Sequence, residues 1–395
     1  MSIIYLDNNA TTRVDEKVAE TMMPYFCENY GNPSSIYDLA HKANTAVRKS
    51  RETIKDFLGA KDAKEIIFTS CGSESANMAI KGTLELAPHK KHIITTKVEH
   101  PCVLNLYKDL EKKGYKADYI GVDSNGDLDV NELLSKVDKD TAIVSVMYAN
   151  NETGAIFPVE EIAQKVKEIN PDTKIFVDAV QAAGKIPINV KDTKIDFMGI
   201  SAHKFHGPKG IGALYIKSGT MVSPLIVGGH QEKGKRAGTE NVPYIVGMAR
   251  AAELATENME DELTRVKKLR DTLEEGILTK IKNARLNSTA KNRVPNTTNI
   301  GFLYIEGELI LLHLNDEGIC ASSGSACTSG SLEPSHVLRA MGVPFTSLHG
   351  SIRFSLSRYT TENEIIQVIQ TLPHIINKLA KISPFQKELG EILGC

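Results

Sequence analysis

Long apolar stretches, an excess of one charge and closely spaced cysteines are all missing from this sequence of 395 residues. No apolar run approaches the ~18–20 residues that a membrane-spanning helix needs. Lys and Arg number 47 and Asp and Glu 49, a formal net charge of −2, which argues against a dedicated nucleic-acid or membrane-surface binder. With 41% hydrophobic and 24% charged residues, the composition is that of an ordinary globular protein, long enough for two or three domains at ~150 residues each.

The cysteines give little support to a redox or zinc site. There are six: Cys27, Cys71, Cys102, Cys320, Cys327 and Cys395. None forms a C-x-x-C pair, the spacing typical of thiol redox sites and zinc ribbons. The first residues, MSIIYLDNNATT, also lack the basic segment and the long apolar segment of a secretory signal. We therefore expect a cytoplasmic protein whose cysteines are free thiols.

Short apolar runs alternate with helical patterns along the first half of the chain. Runs that predict strands lie at 65–70, 92–96, 141–148, 174–178, 197–201 and 211–216. Strands that alternate with helices are typical of a mostly parallel α/β sheet covered on both faces. A proline-free helical stretch from Val246 to about Ile281 then leads into a smaller α+β region. We expect a large domain at 15–260 and a small domain formed by 1–14 and 261–395.

Two polar residues follow predicted strands in positions suited to pyridoxal phosphate. Lys204 follows the strand at 197–201, where desolvation would favour the neutral, nucleophilic amine that a Schiff base requires. Asp178 ends the strand at 174–178, where a carboxylate could keep a pyridine nitrogen protonated, and Gln181 follows three residues later. Taken singly, each has an ordinary alternative: a solvated lysine at a strand end, and a turn or cap aspartate.

The segment Cys71–Ser75, CGSES, lies between a predicted strand and a predicted helix. A helix N-terminus with small residues offers N–H groups and a favourable dipole to a phosphate, although capping by Ser73 alone would explain the same residues. His100 follows the strand at 92–96 and could stack on a planar cofactor and move protons, or be an ordinary loop histidine. His203 and His206 lack a nearby third ligand, so they do not predict a metal site.

Two further residues suggest substrate chemistry. Cys327 lies in a run of small polar residues, SSGSACTSGS, which predicts a mobile, exposed segment that could carry a thiol between a buried substrate and an outside acceptor. The alternative is a solvated linker with a stray cysteine. Arg353 alternates with apolar residues on a predicted strand. If it points inward it should bind an anion such as a substrate α-carboxylate; otherwise it lies on the solvent face of the strand.

Eight segments together make the chain resemble the NifS/IscS-type cysteine desulfurases. They are YLDNNATT at 5–12, YGNPSS at 30–35, EHPCV at 99–103, NNETG at 150–154, DAVQAAGK at 178–185, SAHKFHGPKGIGALY at 201–215, RAGTEN at 236–241 and SSGSACTSGSLEPSHVLRAMG at 322–342. The resemblance spans essentially the whole chain, and the cysteine loop, at about 321–332, is similar to that of the long-loop group. It implies a fold-type I pyridoxal-phosphate enzyme, with a mostly parallel seven-stranded sheet in the large domain, that acts as a homodimer.

The resemblance also implies which residues hold the cofactor. Lys204 would carry pyridoxal phosphate as a Schiff base, Asp178 would pair with the pyridine nitrogen, and Gln181 would contact the phenolate oxygen. His100 would stack over the ring and share in catalysis. The phosphate would be held by Gly72, Ser73, Ser201 and His203.

The remaining implied roles concern the substrate and the partner subunit. Asn151 would lie near both cofactor and substrate, and Arg353 would bind the substrate carboxylate. Thr239 would reach the phosphate from the other subunit. Cys327 would accept the sulfur and could also serve as a transient iron–sulfur ligand shared with a scaffold protein.

The activity implied is the conversion of L-cysteine to L-alanine, with the sulfur leaving as a persulfide on Cys327. That sulfur would pass to a scaffold for iron–sulfur cluster assembly or to another sulfur acceptor. A selenocysteine lyase or another class V pyridoxal-phosphate enzyme, such as an aminotransferase, is the alternative within the family. A non-catalytic sulfur-trafficking scaffold that kept the fold is the alternative outside it.

Overall fold

The computed structural model describes residues 3–288, 292–323 and 334–393. In chain order the strands in these ranges are β1 (Ile4–Tyr5), β2 (Ile66–Thr69), β3 (His92–Thr96), β4 (Lys116–Ile120), β5 (Thr141–Met147), β6 (Lys174–Asp178), β7 (Phe197–Ser201), β8 (Gly212–Ile216), β9 (Ala284–Leu286), β10 (Thr297–Phe302), β11 (Ile319–Cys320), β12 (Ser322–Ser323) and β13 (Ser351–Ser355).

The α-helices in the same ranges are α1 (Glu16–Met22), α2 (Pro24–Cys27), α3 (Asp38–Leu58), α4 (Gly72–Leu86), α5 (Pro101–Lys112), α6 (Val130–Lys136), α7 (Val159–Ile169), α8 (Val242–Glu257), α9 (Met259–Asp261), α10 (Lys267–Lys280), α11 (Gly307–Asp316), α12 (His336–Ala340), α13 (Phe345–Leu348), α14 (Glu362–Ala380) and α15 (Gln386–Leu393). None of these helices combines the length and the apolar content needed to cross a membrane.

A seven-stranded sheet forms the centre of the fold, with strand order β2-β8-β7-β6-β5-β3-β4. Every neighbouring pair is parallel except the two that involve β8, which confirms the predicted mostly parallel sheet. Neighbouring residues of one strand pack on opposite faces, as Ile93 and Ile94 do. Helices α4 and α5 cover one face, and α3, α7 and α8 cover the other. The carboxyl ends of β5, β6 and β7 therefore meet at one uncovered edge.

A second, smaller sheet of order β12-β13-β10-β9 packs on α10 and α14. Strand β13 turns Ile352 and Phe354 into that core, and Arg353 onto the opposite face. The N-terminal segment joins this region: β1 pairs with β11, and Ser355 N–H donates to Leu6 O over 2.8 Å. The domain boundaries proposed above remain a prediction.

The predicted helical stretch between the two sheets is interrupted. Helix α8 ends at Glu257, and a π-helical turn at Glu262–Val266 precedes α10. Asn258, with φ of −102° and ψ of 10°, separates α8 from the helical residues that follow, so the proline-free stretch forms a pair of long helices with short helical turns between them.

Candidate active site

A cavity of about 360 Å³ lies at the carboxyl ends of β5, β6 and β7. This is the edge at which parallel α/β sheets usually bind ligands. Ten of the twelve site residues named from the sequence line it: Gly72, Ser73, His100, Asn151, Asp178, Gln181, Ser201, His203, Lys204 and Arg353. Segments far apart in the sequence are thus brought to one place.

Asp178 is the last residue of β6, and its carboxyl group is buried beneath the cavity. It accepts a hydrogen bond from Val180 N–H over 3.0 Å. Burial raises the pKa of Asp178, while the nearby His100 and Lys204 act in the opposite direction. A cationic group in the cavity would therefore stabilise the carboxylate further.

Lys204 lies in a single 3₁₀ turn, Ala202–Lys204, that follows β7. Its ammonium group donates to two backbone carbonyl oxygens of the N-terminal segment, Asn9 O at 2.6 Å and Ala10 O at 2.8 Å. The amine is thus held at the cavity wall by main-chain acceptors, whose positions do not depend on a side-chain rotamer.

The start of α4 forms another wall. Its N-cap residue is Cys71, whose side chain makes no capping bond, and Ser73 is already the second residue of the helix, so the alternative in which Ser73 merely caps the helix is wrong. A Cβ atom on Gly72 would lie 2.6 Å from Val180 Cγ2, so a larger residue would have to displace that side chain. The hydroxyl of Ser201 lies close by in the cavity lining, buried and without a hydrogen-bond partner in the described part of the chain.

The two cavity histidines are neutral at neutral pH. Burial, helped by Lys204, lowers the pKa of His203 to about 4, and its Nδ1 lies 3.1 Å from Thr11 Oγ1. Burial also lowers the pKa of His100. His100 Nδ1 accepts from Cys102 N–H over 3.2 Å, which leaves the ring proton of His100 on Nε2.

Arg353 is 2% exposed and points into the cavity, so the alternative in which it faces solvent is wrong. Its Nη1 donates to Asn151 O over 3.0 Å, and its Nη2 forms an ion pair with Asp7 Oδ1 at 2.8 Å. The Nε–H is buried without a partner among the described residues. The guanidinium is therefore fixed in place and keeps an unused donor.

Sequence reasoning missed the importance of Asn9. Its side chain donates to Asn151 O and Thr297 Oγ1, its backbone N–H donates to Ser355 Oγ, and its Oδ1 accepts from Lys185 Nζ. It ties the cavity to both sheets. The segment YLDNNATT contains it, but no local pattern shows that an amide near the N-terminus meets residues hundreds of positions later.

The chain matches the model of the class-V aminotransferases over residues 4–368. It is 57% identical to a cysteine desulfurase of Nostoc sp. over 389 residues, 98% of this chain and 96% of the relative. It is 50% identical to the cysteine desulfurase NifS of Azotobacter vinelandii over 392 residues, 99% and 97% of the two chains. The chain belongs to the cysteine desulfurase family. A solved NifS-like protein shares the fold with a TM-score of 0.90 and 42% identity, covering 95% of this chain and 100% of that one.

Membership of this family confirms the predicted fold class and enzyme class. Enzymes of the class depend on pyridoxal phosphate, and the cavity fits that group. The uncapped start of α4 and the unpartnered Ser201 hydroxyl supply donors for a phosphate. The buried Asp178 carboxyl suits a protonated ring nitrogen, and the Lys204 amine suits an aldehyde.

One residue named from the sequence does not line the cavity, and another lies outside the described residues. Thr239 is exposed on its own chain, so its role at the phosphate depends on a second copy. Cys327 lies outside the described residues, together with the rest of 324–333, and so does its suggested role as a metal ligand. Among the residues that are described, no group of three or more His, Cys, Asp or Glu side chains forms a metal site.

The loop that carries Thr239, at 228–241, is more tightly packed than its glycines and cations suggest. Glu232 is buried and accepts two hydrogen bonds from Arg51, at 2.6 and 2.7 Å. Arg236 pairs with Glu74 at 2.9 Å. Two ion pairs therefore hold this loop against α3 and α4.

Proposed function

We propose that this chain binds pyridoxal phosphate through Lys204, converts L-cysteine to L-alanine, and passes the sulfur on through Cys327. The observation that carries the proposal is the meeting of three features on one cavity: the Lys204 amine, the buried Asp178 carboxyl and the uncapped start of α4. When bound, pyridoxal phosphate withdraws the negative charge that develops at the substrate Cα.

Each cavity wall has a part in holding the cofactor. Lys204 would supply the amine for the aldehyde, Asp178 would pair with the ring nitrogen, and Gln181 would donate to the ring oxygen. His100 would stack on the ring. The start of α4 and the side chains of Ser73, Ser201 and His203 would hold the phosphate, with Thr239 added by the partner subunit of a homodimer.

Substrate orientation falls to Arg353. Its unused Nε–H and its fixed guanidinium suit a carboxylate, with Asn151 beside it. The amine of Lys204 would remove the proton from the substrate Cα and return one later. His100, with its ring proton on Nε2, is placed to assist as a general acid.

Sulfur transfer requires a nucleophile from outside this set. The Cys327 thiolate attacks the sulfur of L-cysteine, so that an S–S bond forms while the C–S bond breaks. The electron pair of the C–S bond stays with the carbon, which is protonated to give L-alanine. The persulfide on Cys327 then donates its outer sulfur to an iron–sulfur scaffold protein or to another sulfur acceptor in the cytoplasm. With a scaffold, Cys327 also acts as a transient ligand of the iron–sulfur cluster.

The homodimer is supported by exposed apolar side chains in the segment that precedes the loop at 228–241. Met221 and Val227 are 75% and 84% exposed, which is unusual for large apolar side chains that belong to one segment. A second copy that covered this surface would bring its loop at 228–241 toward the cavity.

The test is to incubate the purified protein with L-cysteine and to measure alanine and protein-bound sulfane sulfur together. We expect both in equal amounts in the first turnover, and neither from Lys204→Ala.

Cys327→Ala should keep the cofactor but form no persulfide. Substantial alanine from Cys327→Ala without added thiol would overturn the role of that cysteine. A comparison of the rates with L-cysteine and with L-selenocysteine distinguishes a cysteine desulfurase from a selenocysteine lyase.

Borohydride reduction and peptide mapping identify the cofactor lysine independently of activity. The protein should be yellow, and the label should lie on Lys204. A label on another lysine would refute the assignment.

A further inference from the structure

Lys185 is a buried lysine behind the cavity that the mechanism above does not use. Its side chain is 5% exposed. Gly184 precedes it in the turn that follows β6, where a φ of +77° and a close approach to Phe205 admit only glycine. The turn places Lys185 and Gln181 on the same side. Lys185 Nζ donates to Gln181 Oε1 over 2.5 Å and to Asn9 Oδ1 over 2.9 Å.

These contacts determine which way the Gln181 amide faces. A protonated lysine can only donate hydrogen bonds, so the amide oxygen of Gln181, and not its nitrogen, must face Lys185. On the other side, Gln181 Nε2 donates to Asn9 O over 2.9 Å. Lys185 therefore binds the amide oxygen, and Asn9 O accepts one of the two N–H groups. The second N–H of Gln181 is left for a group in the cavity, which Gln181 lines.

Charged and titratable groups of several elements surround this amine. They are Lys204, Arg353, Glu262, His203 and His206. Burial has the largest effect and lowers the pKa of Lys185 to about 7, aided by Lys204 and opposed by Glu262. Below that pH the amine is in the donor-only form.

We propose that Lys185 is a positioning residue, which holds the Gln181 amide so that Gln181 presents an N–H donor, and not its oxygen, to the ring oxygen of the bound cofactor. The inference rests on the proposed function. An N–H donor stabilises the negative ring oxygen, so its loss should raise the pH at which the bound cofactor loses its proton and changes colour.

The experiment is a pH titration of the absorbance of the bound cofactor in four proteins: wild type, Lys185→Met, Gln181→Ala and the double variant. Lys185→Met should raise the midpoint by about half to one pH unit, the effect of one hydrogen bond. Gln181→Ala should raise it at least as much. The double variant should match Gln181→Ala, because Lys185 acts through Gln181.

Two outcomes would overturn the proposal. An unchanged midpoint in Lys185→Met would remove any role toward the cofactor. A shift that persists undiminished in the Gln181→Ala background would assign the effect to the charge of Lys185 alone. If Lys185→Met does not fold, Lys185→Leu is judged by the same two criteria. Lys185→Gln restores a hydrogen-bond donor, so its midpoint should differ from that of the wild type by no more than half as much as the midpoint of Lys185→Met does.

Lys167→Met is the matched control. Lys167 is also largely buried, donates to Thr173 O and pairs with Asp196, but unlike Lys185 it has no hydrogen bond to a described residue that lines the cavity, so its loss should leave the midpoint unchanged. The experiment distinguishes a failure of the proposed function from a failure of the proposed role of Lys185. A wild type that takes up no pyridoxal phosphate on Lys204 refutes both, whereas a loaded wild type with the same midpoint as Lys185→Met refutes only the role of Lys185.

Discussion

Buried acids surround the cavity without lining it. Burial raises the pKa of Glu99 to about 8 and that of Glu152 to about 7. Glu99 Oε1 accepts from Thr96 Oγ1 and Met147 N–H, whereas its Oε2 is buried without a partner in the described ranges. The neutral acid is thus the form of Glu99 that the folded protein favours.

Glu99→Gln should flatten the dependence of stability on pH. The folded protein holds a proton on Glu99 between about pH 4.5 and 8 that the unfolded chain has lost, so stability falls as pH rises through this window. The slope from one such proton is at most about 1.4 kcal/mol per pH unit. Urea midpoints between pH 5 and 8 measure it. The exposed Glu85→Gln serves as the control, and equal slopes in wild type and Glu99→Gln would contradict the argument.

Arg353→Ala should raise the KM for L-cysteine about ten- to a hundredfold while cofactor content stays constant. A charge-assisted contact is worth roughly 1.5–3 kcal/mol, at ~1.4 kcal/mol per tenfold change. Arg353→Lys should recover only part, because a point charge cannot reproduce the guanidinium fork. Arg250→Ala, which removes a surface ion pair, is the control. Unchanged KM values in both Arg353 variants would assign the carboxylate contact elsewhere.

At the scale of elements, local pattern was a good guide because most strands are short apolar runs that end at turn residues. The predicted runs at 92–96, 174–178 and 197–201 coincide with β3, β6 and β7. The start of α4 was less predictable. A serine near a helix start usually suggests capping, and only the three-dimensional structure shows that the N-cap residue is Cys71 and that its side chain makes no capping bond.

Gly72→Ala should weaken pyridoxal phosphate binding about tenfold, because the new methyl group collides with Val180 Cγ2. The shift of the start of α4 that relieves this overpacking costs about 1–3 kcal/mol. Val180→Ala removes that methyl group, so the double variant Gly72→Ala/Val180→Ala should recover most of the affinity. Titration of the apoenzyme with the cofactor measures both. A double variant no better than Gly72→Ala would show that the collision is not the cause.

At the scale of the whole molecule, the contacts that sequence could not supply are those between distant segments. Lys204 meets Asn9 across 195 residues, and Arg353 meets Asp7 across 346. Residue types and motif spacing named both cations, but not the partners that hold them. The role of Thr239 depends on a second chain, which the sequence of one chain describes only through the family it resembles.

Mixed dimers of Lys204→Ala and Thr239→Ala chains should regain activity that neither homodimer has. If Thr239 serves the partner's cavity, one of the two sites in the mixed dimer has both residues intact and the other has neither. We therefore expect about half of the wild-type rate per mixed dimer. Sedimentation measures the oligomeric state alongside, and a fully active monomer would end the idea of a shared site.

The pairing of the N-terminal segment has a consequence for biosynthesis. Asn9 leaves the ribosome early, yet its partner Ser355 is 346 residues later in the chain. Every strand of the central sheet has been synthesised once β8 is complete, but the cavity lacks Arg353 until β13 has been made. A chain that stalls between these two points therefore contains Lys204 and all seven strands of the central sheet but cannot complete the cavity.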